Sequence, residues 1–343
     1  MENTIIAVDL AKSVFEIAVS DEPGRVSEQH RIARPRLFRF FVKRPKATVL
    51  LEACSSAHYW GRKIQAFGHE VVLLPPHLVK PYRRGNKHDR ADTKALLEAH
   101  RNEEIQPVPI KSLVQHTLAA LHRIRSGWLS TRTARINAVR GVLREIGFFI
   151  PKGADHVVPE ISRLVEDEES ELPETFRPFL LEACSEIRQL ETRMKSVEHQ
   201  LKALAQQLPE VQRLLTIPGT GLLTATAIVG FIGDLGRFRS GRRFSSYLGL
   251  VPKEHSSGDI RRLGRITKQG DTYIRALLVH GARSVLWAAK SNKTPDRLRT
   301  WALKLEQSRG HNKAAVALAN KLARIAWALS VHQTEFQSVP LAA

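Results

Sequence analysis

The chain has 343 residues, 43% of them hydrophobic and 25% charged, a balance that excludes a disordered chain and leaves room for two or three domains. Its 53 lysines and arginines against 34 acids give a net charge of +19, a surplus suited to a polyanion held through counterion release. The two cysteines, Cys54 and Cys184, lie far from any metal-ligand spacing, which excludes a zinc finger and fits a reducing compartment.

In chain order, "TIIAVDLAKSVFEIAVS" predicts two β runs joined by a tight turn at Ala11 and Lys12. "ATVLLEA" (47–53) reads as a buried strand, "HYWGRKIQAFG" as a helix closed by Gly68, and "HEVVLLPP" as a second buried strand stopped by proline. That succession is an α/β layer with a hairpin at its start. "NKHDRADTKALLEAH" (86–100) opens a helix with Asp89 and Asp92 three residues apart, and therefore on one face. Across 112–150 apolar residues recur at helical steps. Arg123, Arg125, Arg132, Arg135, Arg140 and Arg144 fill much of the remaining surface, as a solvated basic face or a nucleic-acid contact.

"IPKG" (150–153) marks a first boundary, followed by the acidic stretch "PEISRLVEDEESELPE" (159–174). Ile187, Leu190, Met194, Val197, Leu201, Leu204 and Leu208 then alternate steps of three and four, the a/d seam of a short coiled coil or of a helix packed on its own domain. Pro209 marks a second boundary. Beyond it the chain reads as helical, with Gly249, Gly258, Gly264 and Gly270 breaking one segment into loops before two further helices. The expected domains are 1–150, 151–208 and 209–335. "MENTIIAVDLAKS" has no basic leader and "GLLTATAIVGFIG" falls short of the about 20 residues that span a bilayer, so a cytoplasmic protein without a membrane partner is expected.

Asp9 closes the first strand and Glu52 closes "TVLLE", and the carboxyl ends of strands line the ligand crevice of open α/β sheets. Asp89 and Asp92 come from a helix N-terminus, where the macrodipole favours negative charge. Like charges at about 4 Å repel by about 4 kcal/mol at an effective dielectric of 20. If the four converge, bound divalent cations relieve that repulsion, and an all-oxygen set selects Mg²⁺ or Mn²⁺. Singly, each acid also reads as a helix cap, a dipole partner or a turn residue.

Three blocks, "AVDLAKSVFEIAV", "LLEACSSAHYW" and "KHDRADTKALLE", resemble the DEDD, RuvC-like domain of insertion-sequence transposases of the one-ten family, related to the Piv DNA invertase. "LLTIPGTGLLTATAIVGFIGDLGRF", "FSSYLGLVPKEHSSGDIRRLGRITKQGDTYIRALLVHGA" and "GHNKAAVALANKLARIAWA" resemble that family's transposase domain, closest to its eleven-eleven group. The heptad seam between these two sets of blocks reads as a coiled-coil connector used for oligomerisation. The resemblance implies an RNase H-like α/β N-terminal domain and a mainly helical C-terminal transposase domain. It makes Asp9, Glu52, Asp89 and Asp92 ligands of Mg²⁺ or Mn²⁺, and it places a serine nucleophile on Ser257, which precedes Gly258.

It further implies a recombinase that cuts and rejoins DNA through a phosphoserine link. A structured noncoding bridge RNA would guide it to donor and target double-stranded DNA, in a prokaryotic cell and at the nucleoid when active. Acids and serine lie in different domains, so a composite site is expected, and strand exchange calls for a homodimer that pairs into a tetramer. From the residues themselves, Ser256 beside Ser257 leaves the nucleophile open by one position, and His255 reads as an assistant or as a loop histidine. Pro218, Gly219 and Gly221 of "TIPGTG" resemble a helix-hairpin-helix DNA-binding turn or form a plain interhelical turn. Arg261, Arg262, Arg265 and Lys268 are candidates to neutralise phosphate near Ser257, and Arg84, Lys87 and Arg90 to steer phosphate toward the acids. Two alternatives are a metal-dependent junction resolvase or nuclease with water as nucleophile, and a non-catalytic nucleic-acid-binding regulator.

Overall fold

The computed structural model describes residues 4–85, 88–291 and 294–339. They divide into two compact units, Met1–Ser112 and Leu113–Ala343.

The first unit is built on a five-stranded mixed sheet. Its strands are β1 (Ile5–Asp9), β2 (Val14–Ser20), β3 (Glu28–Ala33), β4 (Thr48–Glu52) and β5 (Glu70–Leu74), in the order β3-β2-β1-β4-β5. β1, β2 and β3 pair antiparallel, while β4 and β5 run parallel to β1. The central strands are near-continuous runs of Ile, Val, Leu and Ala because both sheet faces are covered. Ile6, Val8, Phe15, Ile17, Val49 and Leu51 point to one face, into a core shared with Leu37 and Phe41 of α1 (Leu37–Val42) and Trp60 and Ile64 of α2 (Ala57–Gln65). Ala7 and Leu50 point to the other, against Val79 of the short α3 (Pro76–Val79) and Ala95, Leu96 and Ala99 of α4 (Asp89–His100). Edge strand β3, "EQHRIA", carries no apolar run, and its charges suit an exposed edge; its place in the sheet was not apparent in the sequence.

The second unit is mainly helical. Its long helix α5 (Leu113–Glu145) is followed by α6 (Val157–Glu166) and by α7 (Arg177–Gln206). Ile187 shares a core with Ile136, Val139 and Leu143, while Val197 and Leu201 share one with Leu118 and Leu121, so α5 and α7 run antiparallel. The heptad seam is thereby filled by a helix of the same chain, the second of the two readings that its spacing allows. The acidic stretch is likewise no bare linker: Val157, Ile161 and Leu164 of α6 are buried against Leu180, Ala183 and Cys184 of α7. The compact units meet at 112/113 rather than at the expected 150, because the apolar stripe of α5 finds its partners on α7.

Beyond α7 come α8 (Pro209–Leu215), α9 (Leu222–Ala227) and α10 (Gly241–Tyr247). A two-stranded hairpin of β6 (Pro252–Glu254) and β7 (Leu263–Ile266) follows, where the sequence had suggested only loops. The helices α11 (Thr272–Lys290), α12 (Arg297–Arg309) and α13 (His311–His332) complete the unit. At its centre His122 of α5 is fully buried between Tyr273 Oη and Thr226 Oγ1, each 2.9 Å away. Thr226 donates its own hydroxyl to Leu222 O, so it accepts from His122 Nε2–H, and Nδ1 accepts from Tyr273. Burial, with Arg125 nearby, pushes the His122 imidazolium down to about 4, so the ring is neutral in the core.

Candidate active site

The alternation of β1 and β4 settles which way the acids point. Ala7 and Leu50 face α4, so Asp9 and Glu52, two residues further along, face the same way. Val8 pairs with Leu51, which sets Asp9 and Glu52 side by side at the carboxyl ends of neighbouring parallel strands. On α4, Asp92 lies one turn before Ala95 and so on its sheet side. The N-cap of α4 is His88, whose Nδ1 accepts from Ala91 N at 3.1 Å, so Asp89 begins the helix rather than capping it. Lys87 lies outside the described residues.

Burial, and after it the carboxylates of Asp92, Asp89, Glu52 and Glu16, push the Asp9 carboxyl up to about 6. Glu52, Asp89 and Asp92 therefore all lie within electrostatic reach of Asp9. They do not stand at coordination spacing: among the described residues no group of three or more His, Cys, Asp or Glu side chains could hold a metal ion as placed. Asp92 instead accepts from Arg83 at 3.2 Å, and Glu52, Asp92, Arg83 and Lys80 line a cavity of about 440 Å³. An all-carboxylate set with one member raised to about 6 has the chemistry of a site for a hard cation.

Glu16 was missed in the sequence. It pairs directly across from Asp9, is almost fully buried, and accepts from Arg90 Nε at 3.3 Å. Its signal was a lone acid inside the apolar run "VFEIAVS", on the same alternation as Asp9. Arg90 is thereby tied to the fifth acid, while Arg84 is exposed.

Ser257 sits at the tip of the β6–β7 hairpin. Its backbone exchanges hydrogen bonds with Ile260, 3.3 Å for Ser257 N to Ile260 O and 3.2 Å for the return bond. Gly258 and Asp259 form the two-residue turn, and Gly258 adopts φ +57°, the positive φ that such turns require at their first central residue. Ser256 donates to Glu254 Oε1 at 2.8 Å and accepts from Arg262 N at 3.2 Å. The exposed Ser257 hydroxyl has no side-chain partner among the described residues. His255, Arg261, Arg262, Arg265 and Lys268 are exposed on the same arm; Arg261 reaches back to Glu254 at 3.3 Å.

The two feet of the arm cross in contact. A Cβ on Gly249 would stand 2.2 Å from Gln269 O, and one on Gly270 would stand 2.0 Å from Tyr247 O, so only glycine lets the strands pass. Arg275 of α11, itself buried, donates to Leu248 O at 3.1 Å and to Gln269 O at 3.0 Å, one carbonyl on each foot.

The "TIPGTG" turn joins α8 to α9. Gly219 takes φ +78° and lies against α11, where a Cβ would meet Gly281 O at 2.5 Å; Pro218 is half-buried beside it, and Gly221 is exposed at the start of α9. In the arginine stripe of α5, Arg123, Arg135 and Arg144 are exposed and Arg125, Arg132 and Arg140 half-buried, and four of the six have partners in the same unit. Arg125 pairs with Glu198 at 2.7 Å, Arg132 with Glu191 at 3.3 Å and Arg135 with Glu186, while Arg140 donates to Pro151 O and Gly153 O.

A family profile described as the IS116/IS110/IS902 transposase family matches residues 211–297, and a transposase profile of the DEDD, IS110 type matches 6–148. The chain is 41% identical over 330 residues to a probable family 20 transposase of Pseudomonas aeruginosa, covering 96% of this chain and 97% of that protein. It is 36% identical over 333 residues to the transposase for insertion sequence element IS1111A of Coxiella burnetii, 97% of this chain and 91% of that one. A pilin gene-inverting protein of Moraxella bovis is similar over a shorter stretch, 33% identical over 97 residues, 27% of this chain and 30% of the other.

Proposed function

Because the chain belongs to the IS116/IS110/IS902 family of transposases, and is an enzyme acting on DNA, we propose that it cuts and rejoins DNA through Ser257 with the help of its acidic sheet face. The observation that carries the serine assignment is the contrast at the hairpin tip: Ser256 is tied to Glu254 and Arg262, and Ser257 is exposed without a side-chain partner. The order of three antiparallel strands followed by two parallel ones supports an RNase H-like reading of the first unit.

In this reading Ser257 Oγ attacks the scissile phosphorus. The Oγ–P bond forms as the P–O bond to one deoxyribose breaks, the serine proton leaves to solvent, and the departing oxygen takes up a proton. The phosphodiester energy stays in the phosphoserine link, so a deoxyribose hydroxyl of a second strand can reverse the step and rejoin DNA. Arg261 and Arg262 supply positive charge beside the tip, and Arg275 holds the arm by both feet. Asp9, Glu52, Asp89 and Asp92 would hold Mg²⁺ or Mn²⁺, which when bound supplies Lewis-acid charge for a phosphoryl oxygen.

The "TIPGTG" turn is proposed to lie on the DNA backbone through the exposed start at Gly221, with Gly219 serving the packing against α11. Guidance by a structured noncoding RNA, and assembly of dimers into a tetramer, complete the proposal. The pairing surface lies outside the α7 seam, which is already occupied. The test is Ser257→Ala on the full chain with its flanking DNA. Covalent protein–DNA adducts and recombinant joints should both vanish, whereas cleavage without adducts in the parent protein would favour water as nucleophile. Sequencing nucleic acid co-purified from cells that carry the native flanking DNA tests guidance, and recovery of no discrete RNA would overturn it.

A further inference from the structure

A cavity of about 1760 Å³ in the second unit lies along α13 and reaches the base of the serine hairpin. Six cations line it: Arg242, Arg265, Lys268, Lys313, Lys321 and Arg324; no acid does. Five of the cations are exposed and form its rim, whereas the apolar lining, Leu250, Ile266, Val316, Ile325 and Ala328 with Trp301 and Trp327, is buried or half-buried and forms its floor. The tryptophans are fixed in place: Trp327 donates its indole N–H to Phe238 O at 3.0 Å, and the Lys321 ammonium sits 4.3 Å above the Trp301 ring. Asn320 of α13 donates to Leu250 O at 3.1 Å and binds the groove wall to the foot of the hairpin. Among the described residues α13 is the one helix apolar enough to span a bilayer by length and composition, yet 44% of its most apolar window is buried; part of the rest is this groove floor.

An apolar floor with an acid-free basic rim needs an occupant that is both polyanionic and apolar. Duplex DNA keeps its bases stacked within and has no bare base face to set on the floor, so it is not the occupant this groove fits. A single strand offers phosphates to the rim and bare base faces to the floor. We infer that this groove binds single-stranded DNA, the unpaired stretch contiguous with the phosphate at Ser257. The commitment to DNA rests on the proposed serine chemistry, because the strand joined to Ser257 is DNA and the groove begins at Pro252, Gly264 and Arg265 of the same hairpin.

The test uses the full chain, a fluorescent oligothymidylate of about 20 nucleotides, an oligouridylate of the same length and a blunt duplex, each titrated across a salt series. Lys313→Gln with Arg324→Gln, both exposed positions, should weaken oligothymidylate binding by about ten-fold and lower the slope of log K against log salt by about 1.4, two contacts at about 0.7 each. Duplex binding should be unchanged. On the unmodified protein, 5-iodouracil in the oligonucleotide should cross-link to peptides carrying Trp301 or Trp327, a measurement that does not depend on how the variant folds. Equal loss on duplex would overturn the inference, as would preference for oligouridylate with the same cross-links. So would unaltered strand binding with lost self-association, which would make the groove a seat for an acidic segment of a second copy. Ser257→Ala should leave all these numbers as they are. Adducts that persist in that variant would overturn the serine assignment alone, and a groove variant without effect beside adduct loss in Ser257→Ala would overturn the groove alone.

Discussion

The sheet of the first unit and the hairpin of the second hold their candidate reactive groups in opposite ways. Asp9, Glu52 and Glu16 are fixed by strands whose alternate residues form two cores, so their positions follow from packing on both faces. Ser257 is carried on an exposed arm with no core of its own, held at its feet by two crossing glycines and one buried arginine. The acids are thereby crowded at an electrostatic cost, and the serine is free of partners but dependent on its anchor. Rigidity lies with the crowded acids, and an exposed arm carries the serine.

The largest expected effect separates chemistry from folding. Asp9→Asn should lower strand transfer by about 10³-fold or more, measured as recombinant joints, yet raise the thermal midpoint of the metal-free protein, because it removes one of several crowded like charges. A fall in both would break the contrast, since Asp9 would then be holding the sheet together.

Next comes the anchor. Gly249→Ala sets a Cβ 2.2 Å from Gln269 O, and should cut covalent adduct formation by about 10²-fold while the far-UV circular dichroism of the helices persists. Arg275→Met leaves two carbonyls of the feet without their donor and should cost about 3 kcal/mol in denaturant unfolding of the second unit. Adduct yield equal to that of the parent would show that the arm is positioned by DNA instead.

A smaller, pH-dependent effect tests the core beneath the arm. His122 titrates near 6.5 when unfolded and near 4 when folded, so the folded state binds fewer protons between those values. Its contribution is fully present above about 6.5 and is lost as pH falls toward 4, at up to about 1.4 kcal/mol per pH unit. Urea unfolding of a His122→Gln variant should show a flatter profile across that window, and an unchanged profile would exclude the histidine as its source. The smallest effect belongs to the arginine stripe: Arg132→Gln should change stability by about 0.5 kcal/mol and leave the salt dependence of DNA binding as it was, because its charge is already paired with Glu191.

Much of the acidic site was legible because strand alternation is a local property. Asp9 and Glu52 each end an apolar run, which marks them as strand-end acids, but that they share one face needed the register of β1 against β4; Glu16 was passed over because it sits mid-strand. The hairpin was not legible. β6 and β7 are short, charged and exposed, without the apolar alternation that marks a half-buried strand. Ser257 came instead from its resemblance to a family motif.

By itself the sequence determined the local matters: the α/β order of the first hundred residues, the helices that follow, the basic surplus and the identity of the acids. Tertiary structure decided who partners whom. It gave the α7 seam to α5, turned three of the stripe's arginines onto α7 glutamates, bound Arg90 to Glu16 and Arg83 to Asp92, and tied the Ser256 hydroxyl to Glu254. The division has a physical cause. Periodicity reports which face of an element is apolar, whereas the occupant of that face is set by contacts between residues far apart in the chain, and no window of sequence contains both.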